Sequence, residues 1–109
     1  MMTHIKMIHW ALDVSERNVE EAEKYAKKAC AMKLRYRPAA DWCVDMARKH
    51  LEFNDKAAMM LDQLCKELHE AGGNSELWQA MKAYVHEKRE WLAEETAEVK
   101  MMLGMYEKG

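Results

Sequence analysis

Apolar residues recur every three to four positions through nearly the whole chain, which is the spacing of one face of an α-helix. A first stripe runs through Ile8, Ala11, Leu12, Val14, Val19, Ala22, Tyr25, Ala26 and Ala29. A second runs from Ala40, Cys43 and Val44 through Ala47, Leu51, Ala57 and Leu61 to Leu68. A third runs from Leu77, Trp78 and Met81 through Val85, Trp91 and Leu92 to Val99, Leu103 and Tyr106. Opposite faces carry Glu, Lys and Arg, and no segment alternates with period two. The pattern breaks at two places only. At Leu34-Arg35-Tyr36-Arg37-Pro38, the proline suits the first position of a helix and disfavours helical geometry at Arg37. At Ala71-Gly72-Gly73-Asn74-Ser75, Gly72 or Gly73 can take the left-handed stop, and Asn74 or Ser75 can cap the next helix.

The pattern therefore predicts helices over about 3–33, 38–71 and 75–106, each about 45–50 Å long. Short connections make neighbours antiparallel. The expected fold is all-α: one domain over residues 1–109, an up-down-up bundle of three long antiparallel helices, completed by dimerisation. The stripes are wide, nearer half of each helix surface than a narrow seam. A homodimer is expected to form through the aromatic flank of the third helix, at Tyr84, Trp91 and Tyr106.

Composition narrows the function classes. Four glycines and one proline in 109 residues are too few for the turns of an all-β domain. A net charge of -2 leaves no basic footprint for nucleic acid. No apolar run is long enough to span a membrane. Met1 to Val14 carries His4, Lys6, His9 and Asp13, without the apolar core of a signal peptide. A cytoplasmic location is expected, with Cys30, Cys43 and Cys65 as reduced thiols. Eleven methionines read as core and interface filler.

Polar residues inside the stripes are the candidate chemistry. Asn18 interrupts the first stripe, His50 and Asn54 the second, Lys88 and Glu95 the third. With turns centred near Tyr36 and Gly73, Asn18 is level with Asn54, and Ala22 with His50. Asn54 is then level with Leu92 and His50 with Thr96, with Glu95 between those levels. Asn18, His50, Asn54 and Glu95, joined by Thr96, are thus expected in one layer. Such a layer can be structural, fixing register through hydrogen bonds. It can also be a ligand or metal site, with His50 and Glu95 as ligands and the asparagines behind them. No cofactor is predicted, and a divalent metal is the alternative. Cys65 and His69, four apart, are only two of the four ligands a zinc site needs.

Two family resemblances bear on these residues. The stretch Asn18-Val-Glu-Glu-Ala-Glu-Lys-Tyr25-Ala-Lys-Lys-Ala29 is similar to the first helix of ferritin-like, rubrerythrin-type proteins. Asn54-Asp-Lys-Ala57-Ala58-Met-Met-Leu61 is similar to their second. The resemblance covers about half the chain and implies a related bundle that binds a metal or ligand. Asn18 and Asn54 stand at the two Glu positions and Ala57 at the His position, so the di-iron ligand set is replaced. Glu20-Glu-Ala-Glu23 followed by Glu52-Phe-Asn-Asp55 resembles the paired carboxylates of MazG-type nucleotide pyrophosphohydrolases, which implies Mg²⁺ held by Glu20, Glu23, Glu52 and Asp55. Glu52, though, lies opposite its apolar stripe, and Glu20 lies outside its own. The favoured expectation is a non-catalytic interaction or assembly protein with a buried polar layer. The alternatives are a ferritin-like metal or ligand binder and a MazG-like hydrolase.

Overall fold

Three α-helices form the computed structural model, which describes residues 2–72 and 75–108. They are α1 (Met2–Met32), α2 (Arg37–Gly72) and α3 (Glu76–Lys108). The ends have local causes. The backbone N–H groups of Arg35 and Tyr36 both donate to the Met32 carbonyl, at 3.0 and 2.9 Å, and close α1. Tyr36 starts α2 by accepting from the Ala40 N–H at 3.1 Å. Pro38 stands in that first turn, where an N–H would lack an intrahelical partner anyway. Ser75 caps α3: its Oγ accepts from the Trp78 N–H at 3.2 Å. Gly73 and Asn74, the other candidates for stop and cap, lie outside the described residues.

Side-chain pairs give the directions. Tyr25 meets Trp42, Asn18 meets His50 and His4 meets Glu67, so α2 descends as α1 rises. His9 meets Tyr84, Glu16 meets Lys88 and Cys30 meets the Met102 carbonyl, so α3 runs parallel to α1. All three helices lie along one axis of a rod 55 Å long and 19 by 15 Å across. α1 packs most extensively on α2. α3 leans mainly on α1 and meets α2 along a thin line.

Two apolar cores occupy the rod. One is built of small residues, Ala22, Ala26 and Ala29 of α1 against Ala40, Cys43 and Ala47 of α2, closed by Val99, Leu103 and Tyr106 of α3. The other is built of large ones, Ile8 and Leu12 against Leu61 and Leu68, closed by Met81, Val85 and Leu92. A polar waist adjoins the large-residue core, where Ser15, only 2% exposed, stands between Leu12 and Val19.

The flank expected to carry Tyr84, Trp91 and Tyr106 divides in two. Tyr84 and Trp91 stay exposed, with the Tyr84 ring tilted against His9 at 5.2 Å. Tyr106 instead belongs to the small-residue core. Its hydroxyl donates to Asp41 Oδ1 at 2.5 Å. Lys33 and Arg37 lie over its ring at 4.7 and 5.1 Å, and the Lys33 ammonium also donates to its carbonyl. Tyr106 thereby latches the end of α3 to the α1–α2 turn and is unavailable to a second copy.

Candidate functional site

The polar waist has two sides. On the α1–α2 side, Asn18 Nδ2 donates to the Val14 carbonyl at 2.9 Å, which turns Asn18 Oδ1 toward His50 Nδ1 at 2.8 Å. An amide oxygen only accepts, so His50 carries a proton on Nδ1, and in the neutral ring Nε2 holds the lone pair. The imidazole lies nearly parallel to the Tyr25 ring, 5.8 Å between centroids, with Phe53 edge-on at 6.4 Å. Tyr25 in turn meets Trp42 edge-to-face at 5.7 Å. Trp42 and Phe53 remain about half exposed, so this aromatic group roofs the Asn18–His50 bond without sealing it.

The pairing differs from the expected register by about one turn: Asn18 meets His50 rather than lying level with Asn54. The reason is the turn. α1 ends at Met32 and α2 begins at Arg37, so the hairpin is centred between Leu34 and Arg35 instead of on Tyr36. A shift of this kind slides α2 along α1 and moves each pair.

Asn54 of α2 and Thr96 of α3 lie on the other side and line a hollow with Ser15. Thr96 Oγ1 is buried there without a hydrogen-bond partner. Glu95 joins neither group. Its electrostatic neighbours are Glu98, Glu23, Glu94 and Lys27, on the α1–α3 side. Partial burial pushes its carboxyl above the ordinary glutamate range, the three glutamates add to this, and Lys27 opposes it. Asn18 and His50 thus come together, Asn54 and Thr96 line a second site, and Glu95 lies apart from both, beside Glu23 and Lys27 of α1.

The four carboxylates of the MazG-like pattern are likewise dispersed. Glu20 is exposed, Glu23 pairs with Lys27 at 2.7 Å, and Glu52 and Asp55 lie on the α2–α3 side. Among the described residues, no three His, Cys, Asp or Glu side chains converge as a metal cage would require. The described thiols are unpaired, with Cys43 buried, and burial raises the half-buried Cys65 thiol. His69, four residues on, is instead packed against Trp78 at 5.0 Å.

The periodicity gives no direct sign of a groove between α2 and α3. Its central hollow, about 340 Å³, has walls of Ala58, Leu61, Leu92, Ala93 and Ala97 and two cations at its edge, Arg89 and Lys100. A second hollow of about 390 Å³ continues toward Glu107, and a third of about 200 Å³ toward Trp78. Arg89 lines both the central and the Trp78-side hollow, and Lys100 both the central and the Glu107-side hollow. Two ion pairs span the groove, Arg89 to Asp62 at 2.6 Å and Arg48 to Glu107. The sequence signal that could have found it is the row of small residues Ala93, Ala97 and Gly104 on one side of α3. No helix among the described residues is long and apolar enough to cross a membrane. Comparison with protein-family models, with curated proteins and with solved structures finds no match to this chain.

Proposed function

We propose that the protein is a non-catalytic helical assembly module, whose task is to associate through the helix faces its own fold leaves uncovered. One observation carries this reading: α3 closes against α1 but leaves the line it shares with α2 open over most of its length. A groove with an apolar floor and charged banks, left open by the chain's own helices, supports association with a further helix surface. The Asn18–His50 bond has the properties of a register pin. The Val14 carbonyl holds the Asn18 amide, which in turn holds His50 Nδ1, a chain of bonds that suits a structural polar layer. Light scattering tests the reading. At micromolar concentration the mass should be twice 12.8 kDa. A chain that stays at 12.8 kDa at every concentration overturns it.

A second reading, ligand binding inside the bundle, is favoured by one detail. Thr96 Oγ1 is a buried hydroxyl without a partner, beside a largely apolar hollow with Arg89 and Lys100 at its edge. A buried polar atom left unpaired is costly, and a ligand atom can satisfy it. The chemistry fits a small amphiphile with an apolar body and an anionic group. Native mass spectrometry of the purified protein should then show an adduct that Thr96→Val weakens. A spectrum of bare protein rejects this reading.

A further inference from the structure

We infer that the α2–α3 face is where a second copy of this chain docks, with the two-fold axis parallel to the long axis of the bundle. The inference rests on the assembly reading above and names its surface, partner and geometry. In that arrangement α2 of each copy lies antiparallel on α3 of the other, and the four helices enclose one new core with α1 outside.

Three observations point there. The first is shape. The linked hollows follow α3 from Trp78 to Glu107, about 45 Å at 1.5 Å per residue. The face is two helices wide and follows most of the length of α3, the elongated shape that a helix pair of a second copy would fill. The second is the floor. Ala58, Ala93 and Ala97 line it, and Ala93 and Ala97 are exposed. Gly104 lies further along, and a Cβ built there would meet nothing within 4 Å. Glycine is among the poorest residues in a helix interior, yet no contact within the chain uses the space it leaves. Small residues in a row let another helix approach closely, and here the chain itself does not supply that helix.

The third observation is charge, and it selects the axis. The α2 bank carries Glu52, Asp55 and Asp62, while the α3 bank carries Lys82, Arg89 and Lys100. At one end the signs reverse on both banks, Arg48 on α2 and Glu107 on α3. A two-fold parallel to the bundle keeps every residue at its own level and exchanges the banks. Asp62 of one copy then sits level with Arg89 of the other, and Arg48 level with Glu107. Each ion pair that spans the groove within the chain can be remade across the interface. A two-fold perpendicular to the helices within the interface would place α2 on α2, acidic bank on acidic bank, and like charges select against it.

The test is light scattering on the wild-type chain and on Ala97→Arg, Gly104→Arg and Trp91→Ala, each checked by circular dichroism. The wild type should measure twice 12.8 kDa. Both arginine variants should fall to the single-chain mass with full helical signal, since each points into open space in the lone chain. Trp91→Ala, on the other flank, should remain a dimer. If an arginine variant loses its helical signal, Lys100→Glu reads the same surface, and its dimer dissociation constant should rise at least about tenfold. A dimer that survives the folded arginine variants but is lost in Trp91→Ala overturns this face and leaves the assembly reading standing. A wild type that is monomeric throughout overturns both.

Discussion

The α1–α2 seam and the α2–α3 groove are made of similar residues and end in opposite states. In the seam, Ala22, Ala26, Ala29, Ala40 and Ala47 are all but completely buried, because small side chains allow the two helices to come close and each alanine fills the other helix's gap. In the groove, Ala93 and Ala97 are exposed and Gly104 borders empty space. A row of small residues therefore specifies close approach without specifying a neighbour. The difference is made elsewhere. A four-residue turn and the Asn18–His50 bond hold α1 and α2 in one register. α3 is drawn toward α1 by Glu16–Lys88 and by the His9–Tyr84 contact, while the latch at Tyr106 ties its end to Asp41 at the start of α2.

The largest effect should come where the two regions share a residue. Leu61 is 1% exposed in the large-residue core, and it also walls the central hollow. Leu61→Ala removes its burial and joins the vacated volume to the groove, so denaturant unfolding should show a loss of about 2–5 kcal/mol. A loss well below that range would mean that α2 and α3 close together to fill the gap, and that the groove is soft.

A paired substitution addresses the comparison directly. Ala47→Leu places a large side chain where the seam has no room, and overpacking of this kind costs about 1–3 kcal/mol. Ala97→Leu makes the same chemical change on an exposed site and should alter the stability of the lone chain by no more than about 0.5 kcal/mol. Measured at a concentration low enough to hold both as single chains, equal losses would show that the groove is as tightly packed as the seam.

The sequence made some of this legible and not the rest, for physical reasons. Hydrophobic period reports which side of a helix avoids water. It placed Ile8, Leu12, Leu61 and Val99 in the core and marked both turns, with Ser75 as one of two possible caps. Period does not say which neighbour a face meets. Asn18 and His50 were visible as interruptions, but their pairing depended on a turn centre misplaced by little more than a residue. Glu95 was expected at their level, but the parallel packing of α3 on α1 sets it more than a turn further along, beside Glu23 and Lys27. Tyr106 read as part of an aromatic flank. Its burial follows from Lys33, Arg37 and Asp41, which lie in the α1–α2 turn and the start of α2, far from it in sequence. The groove stayed hidden because a missing neighbour leaves no mark on a chain's own period.

The Asn18–His50 bond gives an intermediate effect. Asn18→Ala leaves the His50 Nδ1 proton without its partner under the aromatic roof, and the loss should be about 1 kcal/mol because water reaches part of this site. Asn54→Ala, on the groove side, should cost less, since Asn54 makes no side-chain hydrogen bond among the described residues and faces the open hollow. A larger loss for Asn54→Ala would place the register pin on the wrong side of α2.

The smallest effects are electrostatic, and their signs separate the latch from the α1–α3 side. The Tyr106 hydroxyl, then Arg37, hold the Asp41 carboxyl below the ordinary aspartate range. Its stabilisation is therefore complete above the unfolded value of about 3.9 and disappears as pH falls through the lower folded value. Glu95 behaves in the opposite sense. Burial, then Glu98, Glu23 and Glu94, raise its carboxyl, so the folded chain takes up that proton more readily than the unfolded chain. Its charge destabilises the fold above the raised folded value, and the penalty fades as pH falls toward the unfolded value of about 4.3. Glu95→Gln should consequently be more stable than the wild type at pH 7, and the difference should shrink steadily on acidification. Tyr106→Phe should raise the Asp41 value, which an NMR titration of the carboxyl reads directly, and should leave Glu95 unchanged. If Glu95→Gln instead destabilised the chain at pH 7, the carboxylate would have a favourable partner, and α3 would have to be rotated about its axis to bring Glu95 toward the waist.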